Sequence, residues 1–552
     1  MSEKKKESNF LMQGTILGVA AIITKLIGLA YRIPLTNIMG AEGNGYYGVV
    51  FQVYSLALML TSYSLPMAVS KLVSARVSTG QYKNAYRVFK GAMTFGLLSG
   101  GLVAFLVFVG AGFISSNILK MDLGVYALRV IAPCILIVAI LGVLRGFFQG
   151  FGTMVPTALS QVAEQIVNAI VSVVGAYMLL KFGQSVAESS GDSSYGPAYA
   201  AAGGTLGTVI GALVAMLFLI ALFYAHNKKF KVQMKQDRTK KVESQKYIYK
   251  ILIMTIVPVV LSATIYNISN LLDQAIFSNV MAAQGYSEKE YTSLLGMFNG
   301  QYDTITNIPL SLASALAASF MPSLVATIQT GSRREIYNKL NMVSRFNMII
   351  AIPCAAGLIA LARPVLDLLF YTQDNAIPAM LLRIGAVSVV FFCLSTVTNA
   401  ALQGMDKMSK PVKNAAISLV IHIVALLIML IVFKWNIYSI VLSKIIFAAA
   451  ICILNAHDLR EACGYVQERK QTFIIPTIAS VIMGVAAMGV YYIFAFIIGD
   501  KIATIIAIMV AVGVYAVVMV LMGGITETEL LAFPKGTLLV KVFKKVHLLK
   551  SE

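Results

Sequence analysis

Runs of twenty or more predominantly apolar residues recur along the whole 552-residue chain, and no other feature limits its fold so sharply. Each run is long enough to cross roughly 30 Å of hydrocarbon. Backbone polar groups must be satisfied internally there, which leaves helices or a closed barrel. Barrel strands would appear as short alternating segments, whereas these runs are continuous. With 58% apolar and 12% charged residues, the chain also lacks the charge to solvate a soluble domain of this size. The fold class expected is an all-α polytopic membrane protein with about fourteen transmembrane helices. The first two spans are placed at 10–38 and 46–70, the seventh and eighth at 250–279 and 294–326, and the last two at 473–498 and 502–523. The opening MSEKKKESNF and the long run after it read as a retained first helix, because no small-residue cleavage site closes the run.

The net charge of +20 raises the question of nucleic acid, and its distribution answers it. With the N-terminus inside, 32 of the 44 Lys and Arg fall in cytoplasmic loops and tails, and six fall in outer loops. That is the positive-inside bias, which explains the basic balance through topology and attraction to anionic lipid. A nucleic-acid partner is not expected. Both termini are expected in the cytoplasm.

The halves of the chain repeat. Leu128-Arg129 matches Leu382-Arg383, and Gln149-Gly150 matches Gln403-Gly404, both 254 positions apart; Pro156 and Pro411 follow. Gly80 and Tyr86 match Gly331 and Tyr337 at an offset of 251. Two parallel six-helix lobes follow, an arrangement that builds transporters with a substrate site near the midplane. The expected division is an N-terminal lobe at 1–226, a basic linker at 227–249, a C-terminal lobe at 250–456, and spans thirteen and fourteen with a basic tail at 457–552.

Six cations remain within spans: Lys25, Arg32, Arg129, Arg145, Arg383 and Lys444, against the acids Glu164, Asp273 and Asp303. A cation at the bilayer centre costs roughly 2.5 kcal/mol or more, so such residues face protein, water or cargo. Lys25 and Arg32 stand two helical turns apart, about 10 Å along one face. Gly28 between them is expected to leave that face open, and Pro34 to kink the helix beyond it. A purely structural account pairs Arg145 with Glu164 and lets Arg129 and Arg383 snorkel. In the N-terminal lobe Glu164 alone cannot neutralise Lys25, Arg32, Arg129 and Arg145, so Lys25 and Arg32 are expected to meet an anion from outside the protein. Arginine suits phosphate through its planar fork and lysine as a mobile point charge. In the other half, Asn267, Asn270 and Asp273 form an i, i+3, i+6 stripe that suits sodium or a proton as coupling ion. The alternative is an Asp273–Lys444 ion pair, which would fill that place.

No cofactor or metal is expected. His226, His422, His457 and His547 lack ligand spacing, and the five cysteines form no CxxC pair and suggest no disulfide. No nucleotide-binding or hydrolase motif is present, so an enzyme is not expected. GAEGNGYYG, Gly40 to Gly48, reads as a mobile external turn between the first two spans, with a phosphate cradle as the alternative.

The string TKLIGLAYRIPLTNIMGAEGNGYYG and its continuation resemble the opening of SpoVB/YtgP-type polysaccharide-biosynthesis membrane proteins, relatives of MurJ-type lipid II flippases in the superfamily that includes MATE exporters. The resemblance spans essentially the whole chain. Thr24-Lys25-Leu26-Ile27-Gly28 is similar to that family's S-R-x-L-G, with lysine for arginine, and Arg32 stands near its second first-helix arginine. No arginine marks the second span, where Gln52 is the nearest polar residue. Asp273 looks like the carboxylate of a sodium site. The resemblance implies a flippase carrying a polyprenyl-diphosphate-linked glycan outward, with Lys25, Gly28, Arg32, Gln52, Arg145, Glu164 and Asp303 as substrate-site residues and cell-wall synthesis machinery as a partner. Two rivals are a MATE-like antiporter of organic cations, which needs an acidic cavity, and a scaffold in a wall-synthesis or sporulation complex, which needs no buried cations.

Overall fold

The computed structural model describes residues 2–239 and 242–525. The C-terminal basic tail and Lys240–Lys241 lie outside the described residues, as do the side chains of the N-terminal basic tail. Every secondary-structure element among the described residues is helical. Eleven helices there are long and apolar enough to cross a membrane, against the fourteen expected. The first of the eleven, Ile16–Val77, covers both of the first two expected spans.

The chain forms two compact units, Met1–Gly300 and Gln301–Glu552. The first contains α1 (Ser2–Thr61), α2 (Leu65–Val77), α3 (Tyr82–Val109), α4 (Gly124–Gly150), α5 (Val155–Ser190), α6 (Tyr195–Gln236), α7 (Gln245–Ala283) and α8 (Glu288–Gly296). Helix α7, the first span of the expected C-terminal lobe, therefore packs within the first unit. Its Ile248, Leu252 and Ile256 enter the same core as Leu65, Val88, Phe89, Phe147 and Leu219. Aromatic rings densify that core, with Phe89 4.5 Å from Phe147 and 5.0 Å from Phe223.

Helix α1 breaks once. Gly40 has φ 67° and ψ −179°, whereas Pro34 lies within helical backbone. Only glycine enters that region without a Cβ penalty. The break frees backbone carbonyls, and the Asn44 side chain donates to two of them, Thr36 at 2.9 Å and Gly40 at 2.6 Å. GAEGNGYYG is thus no external turn. Beyond Gly40 it is helix, buried from Glu42 to Val50. Its glycines serve close packing on α8 and the wide turn Met297–Tyr302 that follows it. A methyl group added at Gly45 would strike Thr292, and one at Gly48 would sit 2.5 Å from Asn299. One at Gly296 would strike Ala41, and one at Gly300 would sit 2.9 Å from Asn44. Small residues at such a seam let helices approach where lipid offers no hydrophobic drive to associate. Glu288 fastens the end of the seam, accepting from Tyr46 at 2.9 Å and from the Asp122 amide at 3.1 Å.

The basic connection is mostly helical. Helix α6 runs to Gln236 and α7 begins at Gln245, capped by Ser244. Between them, Asp237 and Glu243 dock on the α2–α3 turn. Arg76 pairs with Glu243 at 2.7 Å, and Asp237 accepts from the Lys83 amide at 2.7 Å. Burial pushes the Asp237 carboxyl up, but hydrogen bonds from Lys83 and Thr239 outweigh it and hold the group below its ordinary value.

The second unit contains α9 (Asp303–Thr330), α10 (Arg333–Ala360), α11 (Ala362–Leu369), α12 (Ala376–Gly404), α13 (Ser409–Leu427), α14 (Tyr438–Cys463), α15 (Ile475–Ile498) and α16 (Asp500–Leu521). The repeat is visible in where helices start and stop. Both α4 and α12 end on the matched Gln-Gly pair, and α3 and α10 begin two residues after the matched Gly80 and Gly331. The last two helices pack on α10 through Ile349, Ile475, Ala479 and Met519. All five cysteines are free.

Candidate functional site

The two first-span cations differ in surroundings. Lys25 is exposed and Arg32 half-buried. Among the described residues neither is ion-paired with a carboxylate, and Arg32 donates no hydrogen bond to the protein. Arg32 is nevertheless held: its guanidinium carbon lies 4.5 Å from the centre of the Tyr47 ring. In an unbroken helix these residues would stand about 22 Å apart along the axis, so the chain must fold back at Gly40 to bring them together.

Gly28 does not leave an open face. A Cβ there would sit 3.1 Å from Nε2 of Gln165, so the α5 amide leans over it. Around this point α5 supplies a polar strip. Asn168 donates to the Tyr31 hydroxyl at 3.2 Å, and Ser172 donates to Asn168 at 2.9 Å and to the Gly204 carbonyl at 2.8 Å.

Arg145 and Glu164 form the internal pair. Arg145 reaches the Glu164 carboxylate at 2.7 Å and Ser160 Oγ at 3.0 Å, with the two side chains 14% and 25% exposed. Glu164 is therefore committed to α4, in the pairing that the structural account expected. Arg129 is exposed. Gln52 is half-buried on α1 and, among the described residues, makes no hydrogen bond with the other candidates.

The expected ion-coupling stripe is uneven: Asp273 is buried, Asn270 half-buried and Asn267 exposed. Beside Asp273, Gln274 and Asn299 exchange amide hydrogen bonds at 3.0 and 3.3 Å. Asp303 and Lys444 belong to the second unit, both half-buried, and Asp303 accepts from Asn307 at 3.0 Å. Among the described residues no group of His, Cys, Asp or Glu is arranged to hold a metal.

Reasoning from residues alone missed Tyr47, Tyr31, Gln165 and Asn168. The signal for the α5 strip was present, since Gln161, Gln165, Asn168 and Ser172 follow helical spacing on one face. Tyr47 gave none, because only the break at Gly40 brings it to Arg32.

A broken first helix whose two cations pair with no carboxylate among the described residues, in a chain of many spanning helices, defines a multi-pass membrane protein of transporter architecture. The chain belongs to the polysaccharide biosynthesis protein family, which matches residues 10–328. It is 26% identical over 442 residues to the lipid II flippase MurJ of Bacillus subtilis (strain 168), covering 76% of this chain and 77% of that one. Among solved structures, MurJ in an inward closed conformation superposes with a TM-score of 0.65 at 14% identity, over 91% of this chain and 98% of that one. An inward-facing multidrug resistance MATE transporter of the MOP superfamily gives 0.66 at 17% identity, over 80% and 94%. These structural likenesses establish the fold.

Proposed function

We propose that the protein is a flippase that moves a polyprenyl-diphosphate-linked glycan, lipid II or a related cell-wall precursor, from the inner to the outer leaflet by alternating access. One observation carries the reading: Lys25 and Arg32 lie in a spanning helix with no carboxylate partner among the described residues, while Glu164 is held by Arg145. A diphosphate supplies the missing negative charge. Lys25, exposed and mobile, meets it first; Arg32 offers the directional fork. The prenyl tail stays in lipid and no bond is broken, so the protein is a carrier with no catalytic step. Its site is the bacterial cytoplasmic membrane with both termini inside, where the basic loops lie against anionic lipid.

The membrane potential can drive the step. With the inside negative, each negative charge carried outward gains about 2.3 kcal/mol per 100 mV. A diphosphate head group carries about two such charges. Coupling through sodium or a proton at Asp273 and Asn270 is the alternative source of energy. Export of organic cations fits less well, because two unpaired cations repel such cargo.

The test is complementation of a bacterium depleted of its own flippase, with lipid II exposure on the outer leaflet as the readout. Wild type should restore exposure, while Lys25→Ala and Arg32→Ala should fail although both reach the membrane. Full restoration by the double variant would eliminate the phosphate role.

A further inference from the structure

The contact between Arg32 and Tyr47 has features that ordinary packing does not require. The guanidinium lies over the ring face at 4.5 Å, and among the described residues none of its N–H groups is spent on the protein. A guanidinium has five donors, all around its edge. Stacking occupies the faces of the ion and leaves that edge available.

The ring itself cannot drift. Tyr47 is 1% exposed. Phe51 stacks beneath it at 5.4 Å and 20° between planes, and Tyr54 meets Phe51 edge-on at 5.4 Å. Gly204 on α6 lies so close that a Cβ there would sit 3.1 and 3.2 Å from two ring carbons. A glycine and an aromatic neighbour therefore hold the plane on which Arg32 rests.

We propose that Tyr47 is a positioning residue that holds the Arg32 guanidinium flat, with its donor edge free, as a preformed receptor for two oxygens of a diphosphate. This rests on the flippase reading above and adds specificity to it. Two parallel N–H···O bonds demand a planar, oriented donor, and holding the side chain in advance removes the ordering cost from the binding step. A monophosphate offers one phosphate group for Lys25 and Arg32 to share, whereas a diphosphate gives each cation a phosphate of its own and more charge. Tyr47 should therefore contribute to discrimination between the two as well as to overall attraction.

The experiment uses the full-length protein in lipid nanodiscs with farnesyl diphosphate and farnesyl monophosphate as probes, and reads both dissociation constants. Wild type should prefer the diphosphate. Tyr47→Leu removes the ring face and should weaken diphosphate binding about tenfold, the scale of a desolvated cation–π contact, while changing monophosphate binding about twofold at most. Tyr47→Phe keeps the face and should stay within about twofold of wild type for both probes. In the Arg32→Ala background Tyr47→Leu should have no further effect. Gly204→Ala leaves both partners intact but pushes on the ring, and should give a smaller loss confined to the diphosphate. It carries the test if Tyr47→Leu does not fold.

Equal losses for Tyr47→Phe and Tyr47→Leu would assign the effect to the hydroxyl and overturn the proposal. So would equal losses for the two probes, or a further loss in the Arg32→Ala background. Unchanged diphosphate binding by Arg32→Ala would sink the flippase reading itself. A loss for Arg32→Ala with wild-type binding by Tyr47→Leu, or by Gly204→Ala where Tyr47→Leu does not fold, would sink only the positioning role.

Discussion

The Arg145–Glu164 pair decides whether the cationic helix is truly left without an internal counterion, and a double-mutant cycle can measure it. The ions meet at 2.7 Å with side chains 14% and 25% exposed. At an effective dielectric near 20, the gross attraction at that distance is about 6 kcal/mol. Most of it is offset by taking both ions out of water, and breaking one side of a well-buried pair costs roughly 3–5 kcal/mol. The partial exposure here brings the expected coupling down to about 2 kcal/mol. Glu164→Ala should lower stability by about that amount, because Arg145 is stranded beside α5 with Ser160 as its remaining partner. Arg145→Ala should cost a similar amount. The double variant should cost little more than either single change. Unfolding of the purified protein by SDS titration gives the four stabilities, and lipid II exposure gives the four activities. Activity should follow the folded fraction in all four, in contrast to Arg32→Ala, which should be folded and inactive. Additive stabilities would mean the pair does not couple. A fully folded Glu164→Ala protein with no transport would place Glu164 in the cargo site and return an acid to the balance.

Two further outcomes follow from the packing. Gly48→Leu should separate α1 from Asn299 and abolish lipid II exposure, whereas Gly18→Leu on the same helix, with nothing within 4 Å of its Cβ direction, should be tolerated; equal activity would show the seam to be slack. Asp237, held below its ordinary value of 3.8, contributes stability above that value and loses it only as pH falls through its lowered one. Hydrogen exchange at the Lys83 amide should therefore stay protected from about pH 8 to about pH 5 and be lost at neutral pH in Asp237→Asn. A midpoint within that range would overturn the docking of the connection.

The helical class was legible because hydrocarbon permits so few backbone solutions, and the long runs excluded a barrel. The repeat was legible because it rests on residues that end or start helices: Gly150 and Gly404 each close a helix, and Pro156 and Pro411 lie in the first turns of the next. GAEGNGYYG misled because glycine has two meanings. In water a cluster of glycines signals a turn; between helices in lipid it signals close approach, and only Gly40 with its positive φ turns the chain. The cations of α1 were legible from cost alone. Their surroundings were not, since Gln165 and Tyr47 reach them only after the chain has folded. The Arg145–Glu164 pair stood between, as it was one of several pairings the sequence allowed.

Architecture alone does not choose the cargo. A lipid II flippase and a multidrug resistance transporter superpose on this chain almost equally well. The same helices can enclose either sign of charge, so the choice falls to a few side chains inside them. Here α1 contributes Lys25 and Arg32, α5 contributes Glu164, and Arg145 on α4 takes that acid away. An exporter of cations built on this frame would have to strand Lys25 and Arg32 against cargo of like charge, at a cost no carboxylate among the described residues offsets. An anionic head group reverses that sign, turning the most expensive residues of the helix into the ones that attract the cargo.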